Sequence, residues 1–221
     1  IYTPAIPVEN QIRQYLVSLG VKLYKRSEIL GLLSQQYKCI GIAGTHGKTT
    51  VSSMCAYILY QSPLGCQAFL GGIMIHNNSN LLSHPTSQWM VAEADEYDRS
   101  FLQLHPQIAL ITAMDADHLD IYGDHEKMQD SFRDFASQCK KGGSLLLHHR
   151  IRSYFSVEFI YKSYSLNEKE ADYYASDIQL INGHYHFNLN TPYHVIEDIR
   201  LNMPGLINLE SAVAAYGAAT E

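Results

Sequence analysis

The run Gly44-Thr45-His46-Gly47-Lys48-Thr49-Thr50 constrains the fold more than any other stretch, because an apolar segment, Cys39-Ile40-Gly41-Ile42-Ala43, leads into it and a helix-like segment leaves it. Strand, glycine turn and helix start in that order make half of a βαβ unit, which needs a parallel sheet to complete it. The small residues let several backbone N–H groups converge on one point. A helix N-terminus adds partial positive charge and Lys48 a full one, so the turn suits a polyphosphate. Thr49 would place a hydroxyl on a magnesium ion. The usual pattern, GxxxxGK[ST], would need glycine at position 42, where Ile42 stands, and Gly44 opens the loop instead. The turn is a shorter variant. The bland alternative, glycines that merely make a tight βα turn, does not account for Lys48-Thr49-Thr50 in register with the helix.

Val51, Met54, Cys55, Ile58 and Leu59 repeat at helical spacing after the loop and give its helix one apolar face. Short apolar runs recur at 66–70, 89–92, 108–112 and 144–147, and a helix is expected near 126–139 with Met128, Phe132 and Phe135 inward. Ahead of the loop, 8–19 reads as a helix stopped by Gly20, and Ser27 is the expected cap of a helix over 28–35. Beyond His149 the texture changes to alternating segments at 157–164, 178–181, 185–189 and 194–201, with Asn182-Gly183 as a hairpin turn. The end of the chain, from Leu209 to Thr220, reads as an alanine-rich helix. The expected fold class is α/β: a P-loop-type, mostly parallel sheet flanked by helices, with an antiparallel β subdomain in the C-terminal third.

A length of 221 residues allows one large domain or two small ones, and 46% apolar with 17% charged residues is the composition of an ordinary globular protein. The formal charge of −6 argues against a nucleic-acid partner. No run is long enough to span a bilayer and the start lacks a signal-peptide pattern, so no membrane partner and a cytoplasmic location are expected. Cys39, Cys55, Cys66 and Cys139 lie far apart without a CxxC pair and read as reduced core thiols. His148, His149, His184 and His186 read as surface residues. The chain starts at Ile1, and is expected to begin inside a longer polypeptide.

Two further clusters carry chemistry. Val91-Ala92-Glu93-Ala94-Asp95-Glu96-Tyr97-Asp98 delivers four carboxylates at a strand end, where ligands gather in open α/β sheets. Glu93, nearest the strand, is the first choice for a magnesium ligand. Asp115-Ala116-Asp117-His118-Leu119-Asp120 follows a third strand, which favours a metal or phosphate contact for His118 over a plain surface loop.

Through Gly44-Thr45-His46-Gly47-Lys48-Thr49-Thr50, Glu93-Ala94-Asp95-Glu96-Tyr97-Asp98-Arg99-Ser100-Phe101-Leu102, Asp117-His118-Leu119-Asp120 and Pro204-Gly205-Leu206-Ile207-Asn208, the sequence resembles the Mur ligases. It looks most like the branch that joins L-alanine to UDP-N-acetylmuramate in peptidoglycan precursor synthesis. The recycling branch that attaches a whole tripeptide is the alternative, and a non-catalytic nucleotide-binding module or switch is a reading of a different class. The resemblance implies ATP and Mg²⁺ as cofactors, with UDP-N-acetylmuramate and L-alanine as substrates. It gives Lys48, Glu93 and His118 to catalysis, and Gly44, Thr45, His46, Gly47, Lys48, Thr49, Thr50 and Asn208 to the nucleotide. Thr49 and Glu93 would hold a first magnesium, Glu93 and His118 a second, and Gly71-Gly72 would stand in a loop facing the sugar nucleotide. It departs from the family at Ala113, Ile207 and Ser211, where many members carry asparagine, histidine and asparagine.

The resemblance also implies an organisation: residues 1–37 as the end of a uridine-binding domain plus linker, 38–221 as the central ATP-binding domain, and no amino-acid-binding domain. By itself the chain is then expected to show no ligase activity and at most weak nucleotide binding. ADP release dependent on UDP-N-acetylmuramate and alanine would overturn that expectation.

Overall fold

A computed structural model of the chain describes residues 1–3, 5–75, 77–116, 122 and 124–221, apart from the side chain of Asp98. Among them ten strands form one sheet: β1 (Lys38–Ala43), β2 (Gln67–Met74), β3 (Ser79–Leu82), β4 (Trp89–Glu93), β5 (Ile108–Ile111), β6 (Ser144–His148), β7 (Lys162–Ser165), β8 (Tyr173–Ile181), β9 (His184–Asn190) and β10 (Val195–Leu201). The helices are α1 (Gln11–Ser18), α2 (Arg26–Gln36), α3 (Lys48–Gln61), α4 (His125–Ser137) and α5 (Leu206–Thr220).

The spatial order is β10-β9-β8-β7-β6-β5-β1-β4-β2-β3. From β2 through β8 every neighbouring pair is parallel, whereas β3, β9 and β10 run antiparallel to their neighbours. The expected antiparallel part therefore continues the main sheet. The Asn182-Gly183 turn forms as expected, with φ of 51° and 81°.

Both faces of the central strands are covered, so their residues alternate between two apolar cores. Ile40, Ile42, Val91, Ile108, Leu110 and Leu146 pack with Val51, Cys55 and Leu59 of α3 and Val213 and Ala214 of α5. Cys39, Ala43, Met90, Ala92, Ala109 and Ile111 face Phe101, Met128, Phe132 and Phe135 on the other side. The small-residue face of α5 has a specific use: a Cβ on Gly217 would stand 2.9 Å from Leu146 Cδ2, so a larger residue would lift the helix off the sheet. Cys39, Cys55 and Cys66 are free and fully buried, and burial pushes the thiols of Cys39 and Cys66 up to about 12.

Two local expectations are corrected. Lys25, not Ser27, caps α2, because the Glu28 carboxylate accepts the Lys25 backbone N–H at 2.5 Å while a parallel bridge from Tyr2 to Lys25 fixes the entry. The alternation at 157–164 does not make a strand of that length. Residues His149–Tyr154 form a 3₁₀ turn, Val157 and Ile160 stand exposed, and Phe155 and Phe159 turn into the core, so only Lys162–Ser165 pairs.

Helix α2 is held firmly. A Cβ at Gly31 would lie 2.5 Å from the Gln103 carbonyl oxygen, and Ser34 Oγ accepts the His105 N–H at 2.9 Å. The Lys140 ammonium donates to the carbonyls of Ser34 and Tyr37 at 2.7 Å each, where a cation complements the helix C-terminus. No helix among the described residues is long and apolar enough to cross a membrane.

Candidate functional site

Strand β1 lies between β4 and β5, and all three deliver their C-terminal ends to one edge, with Ile42 opposite Glu93 and Ala43 opposite Ile111. This edge is where a parallel sheet presents its ligand-binding loops. Gly44 opens the turn at φ 134°, so close to β5 that a Cβ would collide with Thr112 Oγ1 and stand 2.8 Å from the Ala113 nitrogen. Thr112 braces the loop, its hydroxyl donating to the carbonyls of Ala43 (3.2 Å) and His46. Thr45 is buried, its N–H donates to the Ala113 carbonyl at 3.1 Å and its hydroxyl accepts the Asp115 N–H at 3.1 Å. His46 is exposed, 3.6 Å from the Asp115 carboxylate.

Gly47 caps α3 in the left-handed region at φ 81°. The first helical bond there runs from the Val51 N–H to the Gly47 carbonyl at 3.0 Å, which leaves the N–H groups of Lys48, Thr49 and Thr50 directed out of the helix end. Residues Thr45 to Thr50 and Glu93 line an open mouth of about 280 Å³.

Contacts of Glu93 and of Lys48 organise that mouth. Thr49 Oγ1 donates to Glu93 Oε1 at 3.0 Å, and Glu93 Oε2 accepts the Gly71 N–H at 2.9 Å. Lys48 Nζ lies 2.7 Å from the Gly44 carbonyl and 2.9 and 2.7 Å from the two carboxylate oxygens of Glu96, whose side chain is 1% exposed. Gly71 and Gly72 belong to strand β2 rather than to a loop, and both are packed: a Cβ on Gly71 would stand 2.5 Å from Glu93 Oε2, and one on Gly72 2.9 Å from Thr49 Cγ2. Gly71→Ala is therefore expected to push Glu93 away from Thr49. For a magnesium nucleotide seated in this mouth, ADP affinity measured with Mg²⁺ should fall about tenfold while the magnesium-free value changes little, as two parallel calorimetric titrations would read.

Hard oxygen donors that meet in an open mouth fit Mg²⁺, which keeps several waters and shares phosphate oxygens. Among the described residues no cluster of three His, Cys, Asp or Glu side chains forms, so such an ion would rest on Thr49, Glu93 and its ligand's phosphates. His118 lies outside the described residues.

A second cleft of about 400 Å³ adjoins the loop from His46 and Gly47 past Thr112 to α5, which lines it with Ile207, Glu210 and Ser211. Asn208 sits on the first turn of α5, its amide donating to the Pro204 carbonyl at 2.5 Å. His148 and Glu210 are site features that the sequence reading missed. The Arg150 N–H donates to His148 Nδ1 at 3.1 Å, so the proton sits on Nε2 and is donated to Glu210 Oε1 at 3.0 Å. The His148 side chain is 12% exposed, and His186 is half-buried and paired with Asp198 at 2.8 Å, so neither is the expected surface histidine. A carboxylate 62 residues away explains the first, and one 12 residues away on the neighbouring strand β10 explains the second.

Burial pushes the Glu210 carboxyl up, but the hydrogen bonds it accepts from His148 and the Leu166 N–H outweigh it and hold the group below its ordinary value. A depressed carboxylate contributes stability above its unfolded pKa of about 4.3 and loses it as pH falls through the lower folded value. Thermal melts from pH 6 down to pH 2.5 should show a steeper acid limb for the wild type than for Glu210→Gln.

A family profile described as the Mur ligase middle domain matches residues 42–219. A UDP-N-acetylmuramate–L-alanine ligase of Phocaeicola vulgatus is 43% identical over 219 residues, covering 99% of this chain and 48% of the relative. The chain thus spans about half the length of the curated relatives it matches. Among solved structures, the UDP-N-acetylmuramate:L-alanyl-gamma-D-glutamyl-meso-diaminopimelate ligase from Neisseria meningitides aligns with a TM-score of 0.82 at 20% identity, over 97% of this chain and 71% of that one. The MurF ligase from Thermotoga maritima, solved in complex with ADP, aligns with a TM-score of 0.65 at 14% identity, over 86% and 48%. At such identities both speak for the fold alone.

Proposed function

The chain belongs to the Mur ligase family, and from that premise we propose that it is the ATP-binding part of an ADP-forming ligase that joins L-alanine to UDP-N-acetylmuramate in peptidoglycan precursor synthesis. The alanine-adding branch is favoured because the relative at 43% identity carries that name over nearly the whole of this chain. The tripeptide-adding branch is the alternative.

The observation that carries the nucleotide reading is the convergence of Lys48, Thr49 and Glu93 on the mouth at the α3 N-terminus. In this reading the outward N–H groups of α3 and the Lys48 ammonium hold the β- and γ-phosphates. Thr49 and Glu93 would hold Mg²⁺, with His118 proposed as a further ligand together with Glu93. The metal, when bound, offsets negative charge on the transferring phosphoryl group. The γ-phosphoryl passes to the muramoyl carboxylate, and the amino group of alanine displaces phosphate from the resulting acyl phosphate. Of the groups proposed to act there, Glu93 is held by Thr49 and Gly71, and Lys48 contacts the Gly44 carbonyl of the loop.

Titration of ¹⁵N-labelled chain with ADP, followed over Gly44 to Thr50 up to millimolar ligand, tests this. Amide shifts across the loop, with added changes at Thr49 and Gly71 on magnesium, are expected. No change at those amides overturns the reading.

A further inference from the structure

The Lys48–Glu96 pair is unusual for a lysine assigned to phosphate. Lys48 Nζ donates hydrogen bonds to the Gly44 carbonyl at 2.7 Å and to Glu96 Oε1 at 2.9 Å, and the other Glu96 carboxylate oxygen stands 2.7 Å away in the ion pair. The lysine is folded back along its own loop, with its side chain only 14% exposed. We propose that Glu96 is a positioning residue that competes with bound phosphate for Lys48, holding the ammonium in a retracted resting pose that a polyphosphate must open or share. The proposal rests on the nucleotide reading above and adds a regulatory partner to that site.

Glu96 is built to stay where it is. Its carbonyl oxygen accepts the Tyr122 hydroxyl at 2.5 Å and the Arg99 N–H at 3.0 Å, and Ala94 just before it is tied to β1 by a 2.8 Å bond to the Ile42 carbonyl. Arg99 holds φ at 58° and places its guanidinium 5.4 Å from the Tyr122 ring. Lys48, by contrast, has a flexible four-carbon stem, so the lysine is the mobile partner. A carboxylate in that place contributes in two opposite ways. It stabilises the empty loop by compensating a half-buried cation, and it subtracts one unit of positive charge from the field a triphosphate meets.

The two roles separate in Glu96→Gln, which keeps size and one acceptor but removes the charge. Inorganic tripolyphosphate without magnesium is the probe, and wild type, Glu96→Gln and Lys48→Met are compared by calorimetry and by ligand-induced thermal shift. Glu96→Gln should melt below the wild type when empty, bind the probe about fivefold or more tighter at low ionic strength, and show the larger ligand-induced shift, since binding adds stability by mass action. Affinity equal to or weaker than wild type overturns the competition. If Glu96→Gln does not fold, Glu96→Asp carries the same test, because its shorter arm weakens the pair: tighter binding supports the proposal, equal or weaker binding overturns it. Should Lys48→Met bind the probe as well as wild type, the assignment of Lys48 to phosphate fails, which is distinct from a Lys48-dependent site that Glu96→Gln leaves unchanged.

Discussion

Lys48→Met is expected to abolish the loop's response to ADP and to lower stability by ~3 kcal/mol, the second effect arising not from Lys48 but from Glu96. Removing the ammonium takes a cation 2.7 Å away from a carboxylate that is 1% exposed, and breaking a buried ion pair from one side typically costs about 3–5 kcal/mol. The two losses have different remedies. In the double variant Lys48→Met, Glu96→Gln, stability should recover most of the way while ADP binding stays absent, because a neutral amide no longer demands a counter-charge but nothing replaces the cation. Urea denaturation and ADP titration of the three variants check this. A Lys48→Met protein as stable as wild type would show that Glu96 does not depend on Lys48 for compensation.

The other large effect belongs to Gly44→Ala. The backbone there sits at φ 134°, a region costly for any L side chain, and the new methyl would run into Thr112 Oγ1, the group that ties β5 to the loop carbonyls. Relief would require Thr112 to let go of Ala43 and His46. The expected loss is ~3 kcal/mol or more, together with loss of ADP-dependent amide shifts at Gly44 to Thr50. Gly47→Ala gives the contrast: φ is also positive, at 81°, but open space surrounds the position, so only the conformational cost of about 1–2 kcal/mol applies. Chemical denaturation of both variants separates a steric cause from a conformational one, and equal losses would argue that the Thr112 contact does not matter.

How much of this was legible in the sequence depended on the range of the contacts involved. The loop, its strand and its helix are adjacent in the chain, so spacing and composition were enough to assign them. Glu93 was legible as the last residue of an apolar run, and the structure sets it beside Thr49. Glu96 was named only as one of four carboxylates, because a 3₁₀ turn at Tyr97–Gln103, not a strand, decides where it points. Gly71 and Gly72 read as loop glycines, since nothing local reveals that β2 runs against the Glu93 carboxylate and Thr49. His148 and Glu210 stand 62 residues apart and meet only through the closure of α5 on β6. Alternation misled at 157–164, where exposed Val157 and Ile160 mimic a strand whose pairing begins only at Lys162.

The brace at the foot of α2 carries one further consequence. Lys140, sent across from beyond α4, gathers carbonyls of Ser34, Gln35 and Tyr37, while Gly31 and Ser34 are locked to the segment leading into β5. A helix of 11 residues would ordinarily be marginal on its own. Here opening it means releasing contacts shared with the central strands, so its slowest amide protons should exchange only when the whole sheet opens, and α2 reports global cooperativity from the edge of the molecule.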